Sequence, residues 1–293
     1  STHRRSRPHR CAVACASVTA LIALASSLVF GASDFMGGVA SRRSSAFRVT
    51  TWGQISGLVV GVALALVVGA TALTGGDVVA SLVAGATTSF SVVCFYAALS
   101  RGAMSIIAPT TGVLGGAVPA VYGIVRGDET PPATAIGLIV AFAAIVLVTR
   151  VDDEGEATPR SAIALAAVAG VGFGLFFVAL EQTGDSAGMW PIVIARFVSV
   201  PATALLAIRA SGGIALPPTT LRLAAWTGAT EMVANALILT ALRRGPLAVA
   251  SVFGSLYPLG TALLAFVLLR ERLGRSQLTG VALAMLALVL VAL

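Results

Sequence analysis

The sequence predicts an all-α integral membrane protein with ten transmembrane helices arranged as two inverted five-helix repeats. Three observations predict it. The 293 residues are 57% hydrophobic and only 11% charged, whereas soluble domains carry roughly 25% charged residues. Long apolar segments follow one another with only short polar breaks. A polar pattern also recurs at nearly half the chain's length: Ala98-Leu-Ser-Arg-Gly returns as Ala241-Leu-Arg-Arg-Gly, 143 positions later.

A spanning helix needs about 20 predominantly apolar residues. Segments of that kind fall at 12–33, 50–71, 78–100, 103–125, 132–150, 161–182, 189–208, 222–242, 246–269 and 276–293. The organisation expected from them is a basic N-terminal tail over 1–11, a first five-helix repeat over 12–150, an acidic linker over 151–160 and a second five-helix repeat over 161–293. No loop is long enough to fold alone.

In chain order, the tail RRSRPHR ahead of an apolar run looks like the start of a signal peptide. Nine further spans follow it, so the first helix is expected to stay uncleaved. That span ends on Phe30-Gly-Ala-Ser-Asp34-Phe, followed by a basic turn, Ser41-Arg-Arg-Ser-Ser. The second span carries Gly53, Gly57 and Gly61, a spacing that lets helices approach closely in lipid, and between the first two of them Gln54. The third holds Cys94 and Tyr96, the fourth Pro109 and Pro119, and the fifth has no ionisable group before Arg150 at its end. Glu181 closes the sixth. The seventh carries Pro191, Arg196 and Pro201, and the eighth Trp226, Glu231 and Asn235. Tyr257-Pro258 lies in the ninth, and the tenth again has no ionisable group. Prolines within spans break the hydrogen-bond ladder and permit kinks. Tyr96, Trp226 and Tyr257 suit either a cavity wall or an interface.

Composition excludes several function classes. All 19 basic residues are arginine, set between apolar runs as loops beside anionic lipid require, so nucleic acid is not an expected partner. Both histidines, His3 and His9, lie in the tail, and Cys11, Cys15 and Cys94 form no CxxC. A metal site has almost no ligands to draw on, and neither cofactor nor enzymatic activity is expected. No phosphate loop, HExxH or GxSxG is present.

The repeat extends beyond its opening pattern. At the shift of 143, Gly137, Ala141, Ala144, Val146, Leu147 and Val148 fall on Gly280, Ala284, Ala287, Val289, Leu290 and Val291. Glu129 meets Glu271, and Gln54 meets Arg196, at a shift of 142. Patterns recurring in order at one spacing signal duplication. With five spans per half, the second half enters the membrane from the opposite side, so a site between the halves can open to either face in turn.

These residues resemble the drug/metabolite transporter superfamily, and within it the EamA-type ten-helix permeases. The resemblance rests on FGASDF at 30–35, where the family has Trp-Gly-Ser-x-Phe, on the Ala-Leu-x-Arg-Gly pair, on SLYP at 255–258, and on LLRERL at 268–273, close to the family's Leu-Gly-Glu-Arg. It covers the chain from about residue 20 to the end. Phe30 replaces the usual Trp, RGDET at 126–130 replaces Gly-Glu-Arg, and Gln54 stands where many relatives carry arginine. The resemblance implies ten helices, both termini cytoplasmic, and movement of small metabolites or drugs, usually outward.

An ionisable side chain inside the hydrocarbon is costly and marks function by default. Of the 12 acids, nine fall in loops or at span ends, leaving Asp34, Glu181 and Glu231. Glu181 ends its span, where water is within reach. The expected substrate-binding and coupling set is Asp34, Gln54, Arg196, Glu231 and Asn235. Arg196 either holds an anionic group of the substrate or neutralises Glu231, and a purely structural ion pair is the alternative.

The expected function is a secondary transporter of small molecules in the plasma membrane of a bacterium, working by alternating access as a monomer or homodimer, with proton coupling open. The alternatives are a lipid-carrier flippase of the same fold and a non-transporting receptor or channel subunit. With the N-terminus inside, as the resemblance implies, seven arginines lie on the inner side and eleven on the outer. The positive-inside rule favours the reverse.

Overall fold

The computed structural model describes residues 6–127, 132–148, 158–244, 257–271 and 274–292. Among them there is helix and no strand. The helices are α1 (Ser6–Arg43), α2 (Ala46–Val68), α3 (Gly75–Arg101), α4 (Met104–Arg126), α5 (Pro132–Val148), α6 (Arg160–Glu181), α7 (Trp190–Ser211), α8 (Pro218–Arg244), α9 (Tyr257–Leu264) and α10 (Arg275–Ala292). A single 3-10 turn, Asp185–Ala187, joins α6 to α7, and a π turn, Ala265–Leu269, extends α9. The ends of the expected segments agree with these bounds to within a few residues, except at the first and at the start of the ninth, which lies outside the described residues. The first helix runs to Arg43 rather than stopping at 33, and Asp34 lies inside it. The polar run is tolerated because neighbours satisfy it: the Ser33 hydroxyl donates to the Thr227 carbonyl at 2.8 Å. Cys11, Cys15, RGDET and the acidic linker fall wholly or partly outside the described residues or side chains.

Among the described residues, six helices are long and apolar enough to cross a membrane: Val18–Arg43 of α1, α2, α3, α4, α6 and α7. α8 is 27 residues long but carries Arg222, Glu231, Arg243 and Arg244. α5 has 17 residues, and α9 and α10 contribute shorter apolar stretches, Gly260–Leu269 and Leu278–Ala287. The apolar side chains point outward in quantity; Leu21, Val67, Phe90, Ile139 and Phe266 are all exposed. Hydroxyl groups point inward and bind helix to helix. Ser26 donates to the Ala234 carbonyl, Ser56 to that of Ala225 and Thr261 to that of Gly31. This inside-out distribution suits lipid, where helices associate through packing and hydrogen bonds rather than apolar burial.

α1 packs on α8 and α3 on α6; α2 packs on α7 and α8, α3 also on α7, α4 on α6, and α5 on α10. The α2–α8 crossing is the tightest. A Cβ on Gly228 would overlap the Gly53 carbonyl oxygen, so only glycine fits there. One end of the bundle is fixed by a capping box: Thr74 N–H and hydroxyl donate to the Asp77 carboxylate, and Asp77 N–H donates back at 3.2 Å. The other Asp77 oxygen accepts from Gly184 N–H at 2.8 Å, holding the α6–α7 turn against the start of α3. That explains an acid at a span end without invoking transport.

Candidate functional site

α7 opens with Pro191 in its first turn, where a missing N–H costs nothing, and Arg196 follows in its second turn. Its side chain is 5% exposed. The guanidinium lies against Gly57 on α2, where an added Cβ would be 3.6 Å from the guanidinium carbon, an ordinary contact. One terminal nitrogen of Arg196 donates to the Gln54 side-chain oxygen. The other donates to Glu231 Oε1 at 2.6 Å. The Ser199 hydroxyl, one turn on from Arg196, donates to the same Gln54 oxygen at 2.6 Å. Three helices, α2, α7 and α8, are thereby joined at one buried cation.

This geometry accounts for Gln54. It faces Arg196, and a second arginine at that position would set two like charges against each other with no water to screen them. A neutral acceptor removes the conflict. Glu231 retains 25% exposure against 5% for its partner, so the carboxylate is the half of the pair that faces open space. Asn235 shares the Glu231 face of α8, but its amide donates to the Glu231 backbone carbonyl at 2.9 Å rather than to the carboxylate.

Asp34 reaches the cluster from α1. Phe30, Asp34 and Gly37 recur at helical spacing on one face of α1. Phe30 packs against the Tyr257 ring with centroids 6.0 Å apart, and Gly37 backs directly onto Tyr96, whose hydroxyl would lie 2.7 Å from an added Cβ. Asp34 is half-buried and within electrostatic reach of Glu231, Tyr96 and Tyr257. All five residues of the expected set thus come into one neighbourhood. Tyr96 and Tyr257 join it from α3 and α9, whereas Trp226 is 64% exposed and faces outward. Ser199 went unnoticed in the sequence, although its i+3 spacing from Arg196 was the available signal. Glu181 sits exposed at the end of α6.

A second polar cluster lies at the end of the bundle. Glu271, placed by the sequence in a turn, is buried. Its carboxylate accepts from Met104 N–H at 2.9 Å, from Ser105 N–H at 3.0 Å and from the Ser105 hydroxyl at 2.6 Å, and it pairs with Arg42 at 3.1 Å. Arg42 also donates to the carbonyls of Leu99 and Gly102. A carboxylate at the first N–H groups of α4 satisfies donors that a helix start leaves unpaired.

No curated protein matches the chain. A solved crystal structure of a protein 14% identical in sequence has the same fold, with a TM-score of 0.64 over 93% of this chain and 95% of its own. Residues 160–293, which contain Arg196, Glu231, Asn235 and Glu271, match the EamA-like transporter family. That match, together with helices long and apolar enough to cross a membrane, supports a multi-pass membrane protein of the transporter kind.

Proposed function

We propose that the protein is a secondary transporter that moves a small molecule by alternating access between two inverted halves of five spans each, with the substrate held at the Asp34, Gln54, Arg196, Glu231 and Asn235 cluster. The observation that carries the reading is that this cluster is shared between halves. Asp34 and Gln54 come from the first half of the chain and Arg196, Glu231 and Asn235 from the second, so movement of one half against the other alters the site itself. Two features support the inverted duplication. The most extensive helix pairings are exchanged when each helix is replaced by the one five away: α1 on α8 becomes α6 on α3, and α2 on α8 becomes α7 on α3. Gln54 and Arg196, related by the repeat, touch each other, as residues beside a two-fold axis do. Coupling to protons needs a group whose charge changes, and Glu231 and Asp34 are the carboxylates placed for it.

Glu231→Gln tests the reading. An amide still accepts a hydrogen bond from Arg196, so the variant should fold, and purified protein should elute as wild type does. In proteoliposomes loaded with candidate solutes, counterflow seen with the wild type should be lost or lose its pH dependence. Full counterflow with an unchanged pH profile removes Glu231 from the site and leaves a structural ion pair.

A further inference from the structure

Resting on the transporter reading, the charge balance of the cluster points to its substrate: we propose that the site takes an organic cation bearing an aromatic or other apolar group, in exchange for a proton on Asp34. Away from the helix ends, the charged side chains of the spans are Asp34, Arg196 and Glu231. α5, residues 161–180 of α6, and the stretch 245–256, which lies outside the described residues, contain no ionisable side chain. Two carboxylates therefore face one guanidinium. That guanidinium is already engaged, giving its two terminal nitrogens to Gln54 and Glu231 and remaining almost wholly buried. The uncompensated charge falls on Asp34, whose carboxylate receives no hydrogen bond among the described residues.

The groups facing Asp34 from each helix packed on α1 reinforce this. α8 brings Glu231, α3 Tyr96 and α9 Tyr257 within electrostatic reach of Asp34, and the residue that α2 gives to the cluster, Gln54, is uncharged and bonded to Arg196. α4 has no ionisable side chain but Tyr122 and Arg126, near and at its far end. An incoming anion meets two carboxylates and finds the arginine taken. A neutral molecule leaves the Asp34 carboxylate to a proton and gains nothing from its charge. A cation finds a carboxylate that has no hydrogen-bond donor among the described residues, with the Tyr96 and Tyr257 rings in its neighbourhood, groups that stabilise ammonium through charge pairing and cation–π contact. With no cation bound, a proton serves as the counter-charge. One positive charge enters as one proton leaves, so the site's net charge is conserved.

The test is binding to the full chain in lipid nanodiscs, measured by calorimetry with three probes of similar shape: benzyltrimethylammonium, its uncharged isostere neopentylbenzene, and phenylacetate. The cation should bind at least about tenfold more tightly than either other probe. Its affinity should fall as the buffer is taken from about pH 8 to about pH 5, because protons compete for the carboxylate. Asp34→Asn should lose both the affinity and the pH dependence. The pH series and the probe comparison use the wild type, so misfolding of the variant cannot decide the outcome. Absence of cation binding to the wild type, equal or better binding of phenylacetate, or unchanged cation affinity in Asp34→Asn each overturns the proposal. Counterflow separates the two readings: a cation bound but never moved sinks the transporter alone, whereas movement of phenylacetate in preference to the cation sinks the substrate class alone.

Discussion

Glu271 and Arg196 are both buried charges, yet their partners give them different work. Glu271 joins the turn after α9 to the start of α4 and to Arg42 at the end of α1. This explains why Ala-Leu-x-Arg-Gly and a later glutamate recur together along the chain: the Gly102 turn opens the helix start that the Glu271 carboxylate caps. Whether Glu129 meets Gly245 in the same way lies outside the described residues. Removing the carboxylate leaves the first N–H groups of α4 without an acceptor and Arg42 with only the Leu99 and Gly102 carbonyls. Glu271→Ala should therefore destabilise by about 1–3 kcal/mol, the cost of leaving buried donors unsatisfied, and Glu271→Gln, which keeps an acceptor, by less. Thermal unfolding in detergent reads the order. Equal melting of the wild type and the alanine variant would show that the cluster bears no load. Glu231, by contrast, keeps part of its carboxylate open, which is why its amide variant is expected to spare the fold and impair transport.

Helix approach sets the next scale. The spacing of Gly53, Gly57 and Gly61 identified α2 as a close-packing helix, but it did not identify the partner or the limiting glycine. The partner is α8 and the limiting glycine is Gly228, absent from the GxxxGxxxG pattern because it belongs to the opposite helix. At Gly53 an added Cβ would meet the Ala224 carbonyl at 3.6 Å, an ordinary contact. Gly53→Ala should therefore be tolerated, while Gly228→Ala must push α8 away from α2, at about 1–3 kcal/mol for an overpacked contact. Because Glu231 is three residues on from Gly228, the second change should also disturb the Arg196 pair and reduce any substrate binding. Comparing melting temperatures and cation affinity in both variants checks this; similar behaviour of the two glycines would refute the assigned crossing.

Across the whole molecule, arginine is distributed unevenly between the two ends. The α1–α2, α3–α4, α7–α8 and α9–α10 junctions share one end, as the bonds of Arg42 to Gly102 and Glu271 and of Arg48 to Ser211 and Ala215 require. Arg43, Arg101, Arg209, Arg270 and Arg275 lie there too. The α2–α3 and α6–α7 turns share the other end, held by the Thr71 and Ala72 N–H groups on the Ser186 carbonyl. The resemblance to EamA-type permeases places the N-terminus inside and hence the arginine-rich end outside. The dense arginines of the tail pull the first helix the same way, and the summed count of the later loops pulls against it. A reporter fused after Arg275 should be active outside the cytoplasm; activity only in the cytoplasm reverses the orientation.

The sequence by itself determined the membrane class, the bounds of most spans and the small set of charged residues within them. Hydropathy and the cost of a charge in lipid are properties of each residue and its near neighbours, so they can be read without knowing the fold. The sequence also singled out Asp34, Gln54, Arg196, Glu231 and Asn235 by their depth alone. Only the tertiary structure decided who faces whom. The rotation of α7 and α2 about their axes gives Arg196 both Gln54 and Glu231, the rotation of α1 puts Asp34 on the face that meets Tyr96 and Tyr257, and the α9–α10 turn carries Glu271 to a helix start 166 residues away in sequence. Such pairings depend on crossing angles and on which glycine permits contact, and these arise only when distant segments pack.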